Sequence, residues 1–359
     1  MSERMVRQFM QMVAIDSESG NEARMMDYLL GAVREAGGEA ALDAYGNLLG
    51  RFPAKGAGAG KAPILLSCHA DTVKPGVGIK AVLEGGVVRS GGDTILGADD
   101  KAGIAEVLEA LRTSSLHPPV ELAVSRQEET GLQGVKNMDF SKLTARYGFL
   151  MDNDTLDTIV IGGPSYWAMD VKITGKGAHA GMEPEKGISA IQAAARAIAA
   201  LQLGRLDHET TANVGVISGG LIRNGVPEVC TFLAECRSAD HAKGEKLAEQ
   251  MVQTIRAEVE KAGAKVELTC NNLCRAVRIP ESARSVQIAK QALKKVGVEA
   301  KAVFITGFTD ASIYNNQGIE MAVVGIGAQD EHTTRECVAV ADMEKAVAVL
   351  HEVFRICAG

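Results

Sequence analysis

The chain has 359 residues, 46% of them hydrophobic and 23% charged, with a formal charge of −7 and a pI near 5.6. This is the make-up of a compact globular protein too long for a single hydrophobic core, so two domains are expected. It offers no Lys/Arg-dense footprint for a nucleic acid and no apolar run of the roughly 18–20 residues a membrane span needs.

The N-terminal stretch MSERMVRQFMQMVAIDSESG is amphipathic, with Val6, Phe9, Met10 and Val13 on one helical face, and it lacks the apolar core of a signal peptide. Seven cysteines, odd in number and irregularly spaced, point to free thiols in a reducing compartment, so a cytoplasmic protein is expected. A second helix is predicted over 22–36, ended by Gly37-Gly38, followed by short strands at 40–42 and 47–51. The small-residue segment AKGAGAGKAP (54–63) has no helix behind it to complete a phosphate cradle and is expected to be a hairpin-like loop.

From residue 64 onward, apolar runs suited to buried strands (64–67, 121–125, 149–151) alternate with helical spacing. Over 101–113, Ile104, Val107, Leu108 and Leu111 share a face. This rhythm predicts an α/β domain with a mostly parallel central sheet flanked by helices. Near Pro164 the texture changes. A half-exposed strand (167–175), a helix (188–201), strands near 213–218 and 229–236, a helix (242–262) and a strand (265–270) follow in turn. That is β-α-β-β-α-β, the order of an α+β ferredoxin-like domain. After Pro280 the first texture resumes with helix 282–296, strand 302–305, helix 310–316, strand 321–324 and helix 341–357. The expected organisation is a catalytic domain of residues 1–164 and 277–359 interrupted by an inserted domain, 165–276.

Polar clusters stand at the ends of the apolar strands, where sites in open α/β sheets gather. In LLSCHADT, His69 and Asp71 are two apart and point the same way along extended chain, so Asp71 could hold the second ring nitrogen of a metal-bound His69. In GGDTILGADDKAG, Asp99 and Asp100 fit a helix cap or a carboxylate shared by two cations. In VSRQEETG, adjacent Glu128 and Glu129 point apart, which suits one to ligate and the other to act as a base. FLMDND brings Asp152 directly after a strand, and its Asn153-Asp154-Thr155 sequon is a chance match in a chain with no secretory signal. GAQDEHTTRE brings His332 after MAVVGIGA. Neither HExxH nor GxSxG occurs. Each cluster alone also fits a solvated strand end, and only their combination is informative.

That combination, HADT, GADDKAG, EET, the strand-end Asp152 and EHTTRE, resembles the M20 family of metallopeptidases over essentially the whole length, closest to its peptidase T-like, tripeptide-aminopeptidase branch. The resemblance implies two divalent ions, zinc first with cobalt or manganese as alternatives. It implies that Asp99 bridges them, that His69 and Asp152 complete one site, and that Glu129 and His332 complete the other. Asp71 would orient His69, Glu128 would be the general base, and the Asp99–Asp100 peptide would be cis. The inserted domain resembles the family's lid and dimerisation domain. There His179, in GKGAHAG, matches a histidine that reaches a partner subunit's active site to stabilise an oxyanion, while Asn224, Arg237 and Arg275 match substrate-contacting positions.

The function expected is hydrolysis of di- or tripeptides from a free N-terminus by a homodimer. The alternatives are a carboxypeptidase or N-acyl-amino-acid amidohydrolase of the same fold, and a non-catalytic binding protein. The last is disfavoured because every ligand candidate and both auxiliary carboxylates are present.

Overall fold

The structure, a computed structural model, describes residues 2–359 and divides into two compact units. The first comprises the chain up to Gly162 together with Arg278–Ile305 and Thr309–Gly359. The second comprises Gly163–Val277 with Thr306–Phe308.

The first unit is built on a mixed sheet. Its middle is four parallel strands in the order Val120–Ser125, Ile64–His69, Tyr147–Asn153 and Glu320–Gly325. Val120–Ser125 and Ile64–His69 are buried along their whole length, as strands covered on both faces must be. Antiparallel strands flank this middle: Leu48–Phe52 and then Glu39–Leu42 on one side, Thr158–Gly163 on the other. Lys301–Phe304 runs parallel to Thr158–Gly163. The pairing His69↔Ser125 sets two strand ends level, and Gly325↔Asn153 sets two more, so the four parallel strands share one carboxyl edge.

The helix Ala98–Thr113 is buried from Ala98 through Leu111 because it lies between the sheet and two covering helices, Ser2–Val13 and Val340–Ala358. The amphipathic first helix buries Val6, Phe9 and Val13 as its spacing predicts, and Met5 and Met12 as well. The Gly-rich segment is a loop with one 3₁₀ turn, Gly56–Gly58, laid so closely on residue 117 that a Cβ on Gly58 would lie 2.0 Å from the His117 carbonyl oxygen.

A small antiparallel sheet that residue patterning leaves unannounced joins Ala328–Gln329, Cys337–Ala339, Val87–Ser90 and Ala81–Glu84. The pairing Gln329↔Cys337 closes residues 330–336 into a loop, and this loop carries His332.

In the second unit an antiparallel sheet has the order Gly204–Arg205, Thr210–Gly219, Val229–Ser238, Ser165–Thr174, Lys265–Cys274. With helices Ala190–Ala200 and His241–Lys261 this is the expected β-α-β-β-α-β unit. Ser189 and Asp240 cap the two helices through the N–H groups of Gln192 and Lys243. Along Val229–Ser238 the residues alternate, Cys230, Phe232, Ala234 and Cys236 facing the core and Val229 and Leu233 exposed.

Candidate metal centre and active site

The site collects at the carboxyl edge of the parallel strands. His69 ends its strand, and its backbone N–H donates to Asp100 Oδ2 at 3.0 Å. The imidazole Nε2 lies 2.9 Å from Asp99 Oδ1 and 3.6 Å from Asp152 Oδ1. The other oxygen of Asp99, Oδ2, lies 3.0 Å from Nε2 of His332, which is in turn 2.8 Å from Glu129 Oε1. The five residues expected as ligands are therefore contiguous, and the two oxygens of Asp99 face two different imidazoles. The Asp99–Asp100 peptide is cis. His332 has a left-handed backbone (φ +60°), a conformation uncommon among non-glycine residues.

Asp71 organises this cluster from behind. Its backbone carbonyl oxygen lies 3.1 Å and its Oδ1 3.4 Å from His69 Nδ1, and Oδ1 accepts from Glu128 N–H at 2.9 Å. Its Oδ2 accepts from Glu129 N–H at 3.2 Å and from Ser19 Oγ–H at 2.7 Å. With the ring proton on Nδ1 toward Asp71, the His69 Nε2 lone pair is left for a metal. Glu22 braces the next turn: it is fully buried, accepts both Arg126 Nε–H and Nη2–H (3.0 and 2.7 Å), and accepts Gln127 N–H. Gln127 itself has φ +52°, a left-handed turn directly before Glu128 and Glu129.

Electrostatics sharpen the picture. Burial opposes a charged His69, yet Asp99, Asp152 and Asp71 together hold its pKa well above the ordinary value. Hydrogen bonds to Asp99 and Glu129 push His332 up to about 11. Burial raises Asp152 to about 6 and lifts Glu128 well above the usual carboxylate range. Burial also lifts Asp310 to about 7, where Ser125 Oγ–H donates to its Oδ2. Carboxylates thus outnumber the two imidazoles that they contact.

Three carboxylates and two imidazoles, converging with too little positive charge, are the donor set that divalent cations require. Ligand atoms of His69, Asp99 and Glu129 all lie within 4.8 Å of one another, as do those of His69, Asp100 and Asp152. Of these, Asp100 is already committed through Oδ2 to the His69 N–H. The residues present fit divalent metal.

In the second unit His179 is exposed, and its Nδ1 accepts the N–H groups of Gly181 and Met182 at 3.2 and 3.1 Å. The ring proton is thereby placed on Nε2, where it can be donated outward. Asn224 is brought beside it, because His179 pairs with Gly225 and the Asn224 carbonyl accepts from Ala180 N–H. Arg237 is engaged rather than free: it forks onto Glu235 (3.2 and 3.1 Å), donates to the Thr306 carbonyl, and stacks on Tyr166 at 4.6 Å. Arg275 is exposed at the end of the unit's last long strand.

Reading the residues in order misses Asp310, Ser19 and Glu336. Asp310 follows the strand Lys301–Phe304 in ITGFTDA, so the strand-end signal that flagged the other carboxylates extends to it. Ser19 carries no such local mark, and Glu336 closes the segment EHTTRE without a strand end or helix start to give it a role.

Residues 162–263 match the family model described as a peptidase dimerisation domain. The chain is 34% identical to the uncharacterized protein YqjE of Bacillus subtilis, over 97% of this chain and 98% of that protein. It is 25% identical to peptidase T of Fusobacterium nucleatum over 75% and 67% of the two chains. Among solved structures, the aminopeptidase PepT from Bacillus cereus aligns over 100% of this chain and 99% of its own, with 34% identity and a TM-score of 0.89. A tripeptidase from Staphylococcus aureus aligns over the same shares with 30% identity and a TM-score of 0.93.

An α/β unit with carboxylates and imidazoles gathered at its strand ends and a peptidase dimerisation module define a peptide-bond hydrolase. The chain belongs to the M20 peptidase family and is peptidase T-like within it.

Proposed function

We propose that the protein is an aminopeptidase of di- and tripeptides that works with two divalent cations, zinc in the first instance. The observation that carries this reading is the single carboxylate of Asp99 spanning two imidazoles, at 2.9 Å from His69 and 3.0 Å from His332. His69 and Asp152 would hold one ion, Glu129 and His332 the other, and Asp99 both. When bound, such a pair lowers the pKa of water and polarises the scissile carbonyl.

The chain's own residues do the remaining work. Asp71 fixes the His69 ring and the backbone of both glutamates. Glu128 is buried with a raised pKa, as suits a group that takes the proton of the attacking water and returns it to the leaving amine. His179, with Nε2–H outward, would donate to the oxyanion, and Asn224 beside it, with Arg237 and Arg275, would contact substrate. The matched dimerisation domain supports a homodimer formed through the inserted unit.

The test is a hydrolysis panel of free tripeptides, dipeptides, N-blocked peptides and N-acyl amino acids, each with and without a chelator. Chelator-sensitive cleavage of free tripeptides is expected. Preference for blocked N-termini would replace this reading with the carboxypeptidase or amidohydrolase one.

A further inference from the structure

We infer that Glu336 is a positioning residue that locks the two halves of the metal site together. The inference rests on the metal reading above. Glu336 is 1% exposed and accepts three backbone N–H bonds from the segment that leads into Asp99: Leu96 at 2.8 Å and Gly97 at 2.7 Å through Oε2, and Asp99 at 3.0 Å through Oε1. These donors stand at the N-terminus of the helix Ala98–Thr113, whose preceding residue, Gly97, has no side chain to cap it, and Asp99 and Asp100 depart from helical geometry. A carboxylate from far along the chain therefore performs the cap.

That carboxylate belongs to the loop of His332. Glu336 N–H donates to the Thr333 carbonyl (3.1 Å), Thr333 Oγ–H to the Asp330 carbonyl (2.8 Å), and Arg335 N–H to Thr333 Oγ (3.1 Å). The loop is thus internally tied between His332 and Glu336. One side chain fixes both the backbone of Asp99 and the distance at which His332 Nε2 meets Asp99 Oδ2. A glutamine there keeps one acceptor oxygen and turns an NH₂ group against backbone donors, so one half of the clamp becomes repulsive.

The experiment titrates Co²⁺ into metal-free full-length protein, followed by the visible absorption of bound Co²⁺, with thermal unfolding of metal-free and metal-loaded samples in parallel. Glu336→Gln is expected to weaken Co²⁺ binding about 10- to 100-fold, the range for partners that orient ligands. The absorption bands should shift and the metal-induced rise in Tm should shrink. Glu121→Gln is the control. Glu121 is another buried carboxylate that accepts backbone N–H groups, from Thr144 and Ala145, away from the ligands, and its loss should lower Tm and leave Co²⁺ affinity unchanged. Should Glu336→Gln fail to fold, Glu336→Asp, which keeps the charge but shortens the reach, carries the same test. Wild-type Co²⁺ affinity and spectrum in the variant, or an equal loss of affinity in the Glu121 control, would overturn the assignment. Failure of the wild-type protein to bind Co²⁺ would overturn the metal reading and this inference with it.

Discussion

Glu128 and Glu129 are neighbours whose backbone N–H groups rest on one carboxylate, Asp71, while their side chains part company. Only Glu129 reaches His332. Glu128→Gln should therefore keep its metal by elemental analysis and lose kcat by about 100- to 10,000-fold, the usual contribution of general acid–base catalysis. Near-normal turnover would remove Glu128 from that role. Glu106, one turn deeper in the helix Ala98–Thr113, makes a different prediction. It is fully buried, neither oxygen has a hydrogen-bond partner among the described residues, and burial followed by Asp100 raises its pKa well above 4.5. Below pH 4.5 it is protonated folded or unfolded and contributes nothing to the pH dependence. Above that, the unfolded chain ionises and the folded one does not, so stability falls as pH rises toward the folded pKa, by up to about 1.4 kcal/mol per pH unit. Glu106→Gln should abolish this component. In urea unfolding the variant should gain on wild type as pH rises above 4.5, and parallel curves would show that Glu106 ionises normally.

At the scale of elements, the helix Ala98–Thr113 meets the site through Gly103. A Cβ there would lie 2.2 Å from Asp100 Oδ1 and 2.7 Å from the Met151 carbonyl oxygen. Alanine is normally better than glycine inside a helix by about 0.5–1 kcal/mol. Overpacking here should reverse that sign, with Gly103→Ala destabilising by about 1–3 kcal/mol in urea unfolding and weakening metal binding as Asp99 and Asp100 shift. A stabilised variant would mean that the contact relaxes easily.

The same geometry explains what residue order could and could not show. His69, Asp99, Glu129 and Asp152 stand out because each lies at the end of a buried strand, just after one, or at the start of a buried helix, a mark visible within a few residues. His332 stands out only as part of the set. Its placement depends on the pairing Gln329↔Cys337 and on the small sheet with Val87–Ser90, made of short strands with little alternation. Glu336, Ser19 and Glu22 act on residues 239, 52 and 104 positions away, so only folding reveals their partners. The central sheet reads as mostly parallel because its middle strands are buried on both faces. Its antiparallel flanks, such as Glu39–Leu42 with one buried face or none, do not declare their direction.

At the scale of the whole molecule, the inserted unit exposes Val216, Ile217, Leu221, Ile222, Val229 and Leu233, with Leu221 fully accessible. These residues lie inside the segment matched as a peptidase dimerisation domain. If two copies pair and His179 of each serves the other's catalytic unit, as the family resemblance implies, the two halves of one active site come from different chains. Glu128→Ala and His179→Ala should then each be nearly inactive alone and complement each other when mixed. In a mixed dimer one site carries both intact residues and the other neither. Free exchange makes half of all dimers mixed, so activity should recover to about a quarter of wild type. Light scattering on the same samples fixes the dimer, and mixing at concentrations below dissociation sets the rate of recovery. Recovery absent despite demonstrated exchange would place His179 with its own chain's site, and a chain monomeric at all concentrations would remove the shared site altogether.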